Sequence, residues 1–346
     1  MSVGLLTRSM LTCAALLAAL ALAACGDDDD DDGGDGGGGG GGGERVGAVI
    51  KGLDNPFFAA MNDGLEAAGE QYGADLEVQA AASLDDTAGQ ASKLEALTAQ
   101  GYDCYVINPI SESNLVQPLA RVQDTPIVNI DLPIGKGPAA EAELDIATYI
   151  GTDNVAAGRL GAESMAKAVE QGGTVGVIGG ISGDPTSAAR IDGFRQAAEG
   201  KFTALDTVAA DWDRAEALTR AEEVMRSNPD LTGFFAANDQ MALGIAQAVR
   251  NAGKSGDISI VGVDGIEDAL AAVERGSMLA TVSQYPYTIG QLGLEACLAA
   301  ADGKTLPKQV DAPVQVVTSE NAERAQQNFP EPVEPFDDPF AKMLER

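Results

Sequence analysis

Six polar residues stand at one recurring place in the chain, just past the end of a short apolar run. Asn55 follows "RVGAVI", Asn108 follows "CYVI", Asp131 follows "IVNI", Asn238 follows "FFAA", Asp264 follows "IVGV" and Gln284 follows "ATVS". Side-chain amides both donate and accept hydrogen bonds, and ionised carboxylates accept several, so such a set can hold a polar ligand. Each residue also has a local explanation. Asn108 before Pro109 suits a turn, Asp239 beside Asn238 suits a helix N-cap, and Asp131 opens a Pro-containing loop. Six recurrences at one structural place point to a site. Two aromatics, Phe57 and Phe58, follow an Asn-Pro turn where the first strand hands over to a helix, and Trp212, the only Trp, lies in a polar loop entering a helix.

The runs that end in these residues are strands. "RVGAVI", "DCYVINP", "TPIVNID", "TVGVIGG", "LTGFFAAND", "ISIVGVDG" and "MLATVSQ" alternate with Ala- and Glu-rich segments of helical spacing, over 62–71, 86–100, 156–170, 214–227 and 241–251. Strand, helix, strand at intervals of roughly 25 to 30 residues predicts right-handed βαβ units and an α/β fold of parallel sheets covered on both faces. Ligands bind such sheets at the carboxyl ends of the strands, where the six polar residues stand.

Composition narrows the chemistry. Among 346 residues, 22 Lys and Arg face 53 Asp and Glu, a net charge of −31, which repels nucleic acid and anionic lipid. The chain has no histidine, which removes Ser-His-Asp and Cys-His catalysis and every His-ligated metal site. Neither a metal nor a cofactor is expected.

Residues 1–24 read as a signal peptide: Arg8, an apolar run from Met10 to Leu22 too short to span a bilayer, then Ala23 and Ala24. "LAAC", 22–25, resembles the lipobox of bacterial lipoproteins, which predicts a lipid on Cys25. The Asp/Gly-rich stretch 25–43 predicts a disordered tether of roughly 24 Å root-mean-square reach. A calcium loop over the Asp run fails on spacing: with Asp28, Asp30 and Asp32 as ligands and Gly33 at the turn, the position needing Glu is Gly39.

Beyond the tether the chain resembles the ribose-binding group of bacterial periplasmic sugar-binding proteins, across essentially all of 45–318. The resemblance is carried by "NPFF", "INP" (107–109), "GTDNVAAG" (151–158), "TSAARIDGF" (186–194), "DWDR" (211–214), "AANDQMALG" (236–244), "AGKSGDISIVGVDG" (252–265) and "TVSQYP" (281–286). It implies two doubly wound parallel-sheet lobes of the type I periplasmic binding protein fold, joined by a three-stranded hinge, with ligand in the cleft. By matching position, 44–152 with 285–313 form the first lobe and 153–284 with 314–319 the second. The Pro-rich acidic tail, 320–346, departs from the family and either packs on a lobe or runs free.

The same resemblance sorts the site. Asn55, Asn108, Asn238 and Gln284 become amide contacts to sugar hydroxyls, Asp131 and Asp264 accept from neighbouring hydroxyls, Arg190 donates from its planar fork, and Phe57, Phe58 and Trp212 cover the C–H faces of the ring. The family has Arg directly after the Asp of the fourth strand; here it is Leu132. An aliphatic chain cannot donate, so a hydroxyl is left unserved, and ribose is expected not to be the preferred ligand.

The function implied is an exported, non-enzymatic, monomeric lipoprotein, anchored at the outer face of the cytoplasmic membrane or in the periplasm. It captures a neutral pentose-like monosaccharide or sugar alcohol and delivers it to an ATP-binding-cassette permease. Delivery to a sensor or chemoreceptor fits the same residues. A lactose-repressor-type regulator requires an N-terminal helix-turn-helix, where this chain has a signal peptide and polyglycine, and a glycosidase would need Asp131 or Asp264 protonated. Cys104 begins a strand and Cys297 lies on an apolar helical stretch, settings common for buried free thiols, although export also permits a disulfide.

Overall fold

A computed structural model describes residues 43–345 except Gln123; the segments expected to be a signal peptide (1–24) and a tether, with Cys25, lie, through Gly42, outside the described residues. The first lobe is built from β1 (Arg45–Ile50), α1 (Pro56–Tyr72), β2 (Asp75–Ala80), α2 (Thr87–Thr98), β3 (Cys104–Ile107), α3 (Val116–Leu119), β4 (Ile127–Ile130), α4 (Lys136–Glu141) and β5 (Thr148–Gly151). The second holds α5 (Asn154–Met165), β6 (Thr174–Gly179), α6 (Pro185–Ala198), β7 (Thr203–Ala209), α7 (Arg214–Ser227), β8 (Leu231–Ala236), α8 (Asp239–Asn251), β9 (Ser259–Asp264), α9 (Glu267–Glu274) and β10 (Ala280–Ser283). The chain then returns to the first lobe for α10 (Pro286–Ala301) and β11 (Gln309–Asp311), and to the second for β12 (Gln315–Thr318).

The two sheets repeat one topology. Their orders are β11-β5-β4-β3-β1-β2 and β12-β10-β9-β8-β6-β7, all parallel except β12, which runs antiparallel to β10. Helices on both faces bury the central strands: β3, β4 and β10 are buried at every position. The edge strands β2 and β7 are only partly covered, and their sequences, DLEVQA and TALDTVA, carry polar residues that mask the strand pattern. Order reverses around β1 and β6, which places a crevice at the carboxyl ends of each sheet. Three segments, after β5, β10 and β11, pass between the sheets and form the hinge.

Cys104 and Cys297 are joined in a disulfide, in place of the free thiols that their apolar settings suggested. The helix α10 packs across β3 and β4, bringing the two Cα atoms to 5.7 Å, within bonding range. The bond closes a loop over 193 residues of separation, an entropic stabilisation of about 5 kcal/mol in the chain-closure treatment. Its consequence is topological: the segment that re-enters the first lobe after the whole second lobe is covalently fastened there.

The tail packs as well. Its first part, α11 (Ala322–Asn328), buries Ala322 and Ala325 in the second lobe, where Val333 joins the same cluster. Its last part buries Phe340 completely in the first lobe, with Phe336, Met343 and Leu344 packed alongside, the last two from or beside α12 (Ala341–Leu344). Between them Val333 N–H donates to the hydroxyl of Tyr285, a hinge residue, at 3.4 Å. The tail is therefore a fourth strap between the lobes.

Where the strap reaches the first lobe, Glu295 of α10 is buried, accepts from the Tyr72 hydroxyl at 3.2 Å and lies beside Asp338. Burial, then the Asp338 carboxylate, push its carboxyl up from 4.5 to about 8. A group that holds its proton more tightly when folded contributes stability that is lost as pH rises, here between about 4.5 and about 8. Glu295→Gln should match the parent's melting temperature near pH 4.5 and exceed it increasingly up to pH 8. A melting-temperature difference that ignores pH would contradict this account of the strap.

Candidate functional site

Two ion pairs face into the cleft, one from each lobe. Lys51, just past β1, places Nζ 3.0 Å from Asp131 Oδ2, with side chains 12% and 14% exposed. Arg190 of α6 places Nη1 3.2 Å from Asp264 Oδ1, with side chains 5% and 7% exposed. Each cation also rides on an aromatic face: Lys51 Nζ is 5.0 Å from the Phe58 centroid, and the Arg190 guanidinium 5.7 Å from that of Trp212. Between them lies a cavity lined by both pairs and by Asn55, Phe57, Phe58, Trp212 and Asn238. The apolar Leu84, Ile110 and Ile181 and the polar Asp184 and Thr186 complete it.

Local structure explains how each side chain is held. Asn55 caps α1, its Oδ1 accepting from Phe57 N–H at 2.9 Å, and Asn238 caps α8, its Oδ1 accepting from Met241 N–H at 2.9 Å. The same residues both cap helices and line the cavity. The cap engages the oxygen and leaves the amide NH₂ to face the cavity. Arg190 is fixed on three sides, donating from Nε to Asn154 Oδ1 at 2.8 Å and from Nη1 to Ala237 O at 2.6 Å besides Asp264.

Backbone strain concentrates here. Among the described residues, six non-glycines have positive φ, and four of them are Asp131 (63°), Asp211 (51°), Trp212 (63°) and Asp264 (136°). The Tyr149 hydroxyl donates to Asp131 O at 2.7 Å and steadies the first of these. Gly180 makes room for the indole, since a Cβ there would meet Trp212 Cε2 at 2.2 Å.

Asp264 Oδ1 accepts from both Arg190 Nη1 and, at 2.6 Å, Gln284 Nε2. Burial pushes its carboxyl well above the ordinary carboxylate range, the Arg190 guanidinium opposes the rise, and the neighbouring Asp239 and Asp131 carboxylates add to it. Two donors on one oxygen, one of them cationic, favour the ionised form against that rise and orient the carboxylate as an acceptor for hydroxyl groups. Among the described residues no cluster of Cys, Asp and Glu could hold a metal ion.

Of the residues expected to make contact, Asn55, Phe57, Phe58, Asp131, Arg190, Trp212, Asn238 and Asp264 come together around the cavity. Three do not line it. Gln284 stands behind Asp264, Leu132 is buried, and Asn108 is fully buried with Nδ2 3.1 Å from Met61 Sδ. The Phe pair lies in the first turn of α1 and not in a loop, both rings buried and packed edge to face at 5.2 Å. The donor thought missing after Asp131 is present from another strand: Lys51, which sequence reasoning passed over, meets that carboxylate. A single Lys past a strand end looks like a solvated charge, and only the pairing of β1 with β3 and of β3 with β4 brings it to Asp131.

The profile of the Periplasmic binding protein domain family matches residues 46–305. The chain belongs to this family. It is 38% identical over 267 residues, 75% of its length and 85% of the relative's, to the D-allose-binding periplasmic protein of Escherichia coli (strain K12). It is 32% identical to the ribose import binding protein of Bacillus subtilis (strain 168), over 79% of this chain and 87% of that one. Among solved structures, a periplasmic solute-binding protein of an ABC transporter from Actinobacillus succinogenes 130z, with bound D-allose, superposes with a TM-score of 0.78 at 29% identity. The match covers 81% of this chain and 99% of that one. An ABC-transporter solute-binding protein from Agrobacterium vitis bound to α-D-tagatopyranose gives 0.74 at 30% identity, covering 80% and 95%.

Proposed function

We propose that the protein captures a neutral monosaccharide in the interlobe cavity, closes on it by hinge motion and presents the closed form to an ABC-type permease. The observation that carries this reading is the pair of opposed cation–carboxylate couples backed by aromatic rings. A sugar ring has an equator of hydroxyls and two faces of C–H groups. Asp131 and Asp264 would accept from the hydroxyls, while Lys51, Arg190 and the free NH₂ groups of Asn55 and Asn238 would donate. Phe57, Phe58 and Trp212 would cover the faces. Leu132, Asn108 and Gln284 would act from behind this first layer.

Charge supports a neutral ligand. Beside the cavity, and sharing Asn55 and Trp212 with it, lies a wider chamber lined by Asp54, Asp85, Asp211 and Asp213 against the single cation Arg214, a negative balance that would repel sugar acids and sugar phosphates. The relatives named for D-allose and ribose suggest an aldose, and the higher identity to the D-allose-binding relative makes D-allose the first candidate. A carboxylate held ionised beside its cation serves binding and not hydrolysis, so the sugar would leave unchanged.

Thermal melting with D-allose, ribose, other aldoses, deoxysugars and polyols tests the reading. A ligand at 100 times its dissociation constant should stabilise by about 2.7 kcal/mol and raise the melting temperature by several degrees. D-Allose should shift the parent more than ribose, and Lys51→Met should remove most of that shift. No shift with any neutral carbohydrate would overturn the proposal.

The lipid anchor belongs to the same reading, because tethering a binding protein beside its permease raises the effective concentration of the pair. Expressed in a bacterial host, the full chain should partition with detergent and Cys25→Ser should not. Equal partition of both into water would contradict anchoring.

A further inference from the structure

Asp239, the first residue of α8, is a fully buried carboxylate that does not line the cavity and forms no ion pair among the described residues. Its oxygens are committed to backbone and side chain of two neighbouring elements. Oδ2 accepts from the N–H groups of Gly265 at 2.7 Å and Ile266 at 3.1 Å, and Oδ1 from the Thr281 hydroxyl at 2.7 Å. Space is cleared for it in β9, because a Cβ on Gly262 would meet Oδ1 at 2.2 Å. A buried carboxylate without an ion pair is costly, burial raises its pKa, and the Thr281 and backbone donors, the helix N-terminus and the nearby Arg190 offset only part of that cost. Such a group needs a reason.

The reason lies in what its partners carry. Asp239 itself follows Asn238, Gly265 follows Asp264, and Thr281 lies three residues before Gln284. One carboxylate therefore ties the start of α8, next to Asn238, to the turn that follows Asp264 and to β10, the strand that leads to Gln284. Asp264 stands at φ 136° and Gly265 at φ 78°, backbone states that relax unless the turn is held. We propose that Asp239 is a positioning residue for sugar binding, holding the β9–α9 turn so that Asp264 meets the ligand in its accepting orientation. It touches no sugar and acts through Asp264. This inference rests on Asp264 being a sugar contact.

Replacing Asp239 by Asn keeps the shape but turns one acceptor oxygen into a donor NH₂, which then faces either the turn or Thr281 and releases one of them. The test is a double-mutant cycle by titration calorimetry, with D-allose or whichever neutral sugar stabilises the parent most. It compares the parent, Asp239→Asn, Asp264→Asn and the double variant, with melting confirming that each is folded. Asp239→Asn should weaken binding about 10-fold in the parent and about 3-fold or less in the Asp264→Asn background, because a residue acting through Asp264 has nothing left to position. A merely structural residue would weaken both backgrounds equally.

Thr281→Val, which removes one donor from the same carboxylate, should behave alike with a smaller loss and serves if Asp239→Asn does not fold. Losses that multiply across the cycle would overturn the inference while leaving the site intact. If Asp264→Asn binds as the parent does, or no sugar binds the parent, the reading of the cleft fails and the inference with it.

Discussion

A charge taken out of water must find a partner, and that constraint organises this molecule. Arg190 and Asp264, each almost fully buried, hold each other at 3.2 Å, and everything near them serves to keep the pair satisfied but incompletely so. A buried ion pair adds little net stability compared with well-packed apolar residues of the same size. Its value on this account is readiness: two charged groups already desolvated and oriented, each with hydrogen-bonding capacity left for hydroxyl groups that enter the cleft. Lys51 and Asp131 repeat the device from the other lobe with a more exposed, less rigid cation. The strained turns at Asp131, Trp212 and Asp264 follow from the same demand, since side chains at the ends of strands must turn back over the crevice.

The lobes that carry these pairs are coupled more tightly than three hinge segments require. The tail buries apolar side chains in the second lobe and then in the first, passing the hinge at Tyr285, while the disulfide secures, within the first lobe, the helix α10 that follows the hinge. Opening of the cleft must therefore carry the strap with it, or be limited by it.

Much of the architecture was legible in the sequence because parallel sheets leave a strong mark: central strands buried on both faces become continuous apolar runs, with polar residues where they end. The edge strands were not legible, since half-covered strands such as β7 mix Thr and Asp among their apolar residues. Eight of the eleven residues expected at the site came together around the cavity, among them Asn55 and Asn238, which also cap helices. Lys51, Asp239 and the Cys104–Cys297 bond depend on contacts between elements distant in the chain, so nothing local distinguished them from a surface lysine, a helix cap and two buried thiols. Asn108 and Leu132 show the reverse: the right position along a strand end, but side chains turned into the packing.

The chain's single tryptophan gives the most direct test of the central claim, because Trp212 stands on the cavity wall against Arg190. Titrating D-allose into the protein while following tryptophan emission should give a saturable change in the parent and none over the same range in Arg190→Ala. Emission that stays constant while calorimetry records sugar binding would place the ligand elsewhere and contradict the account.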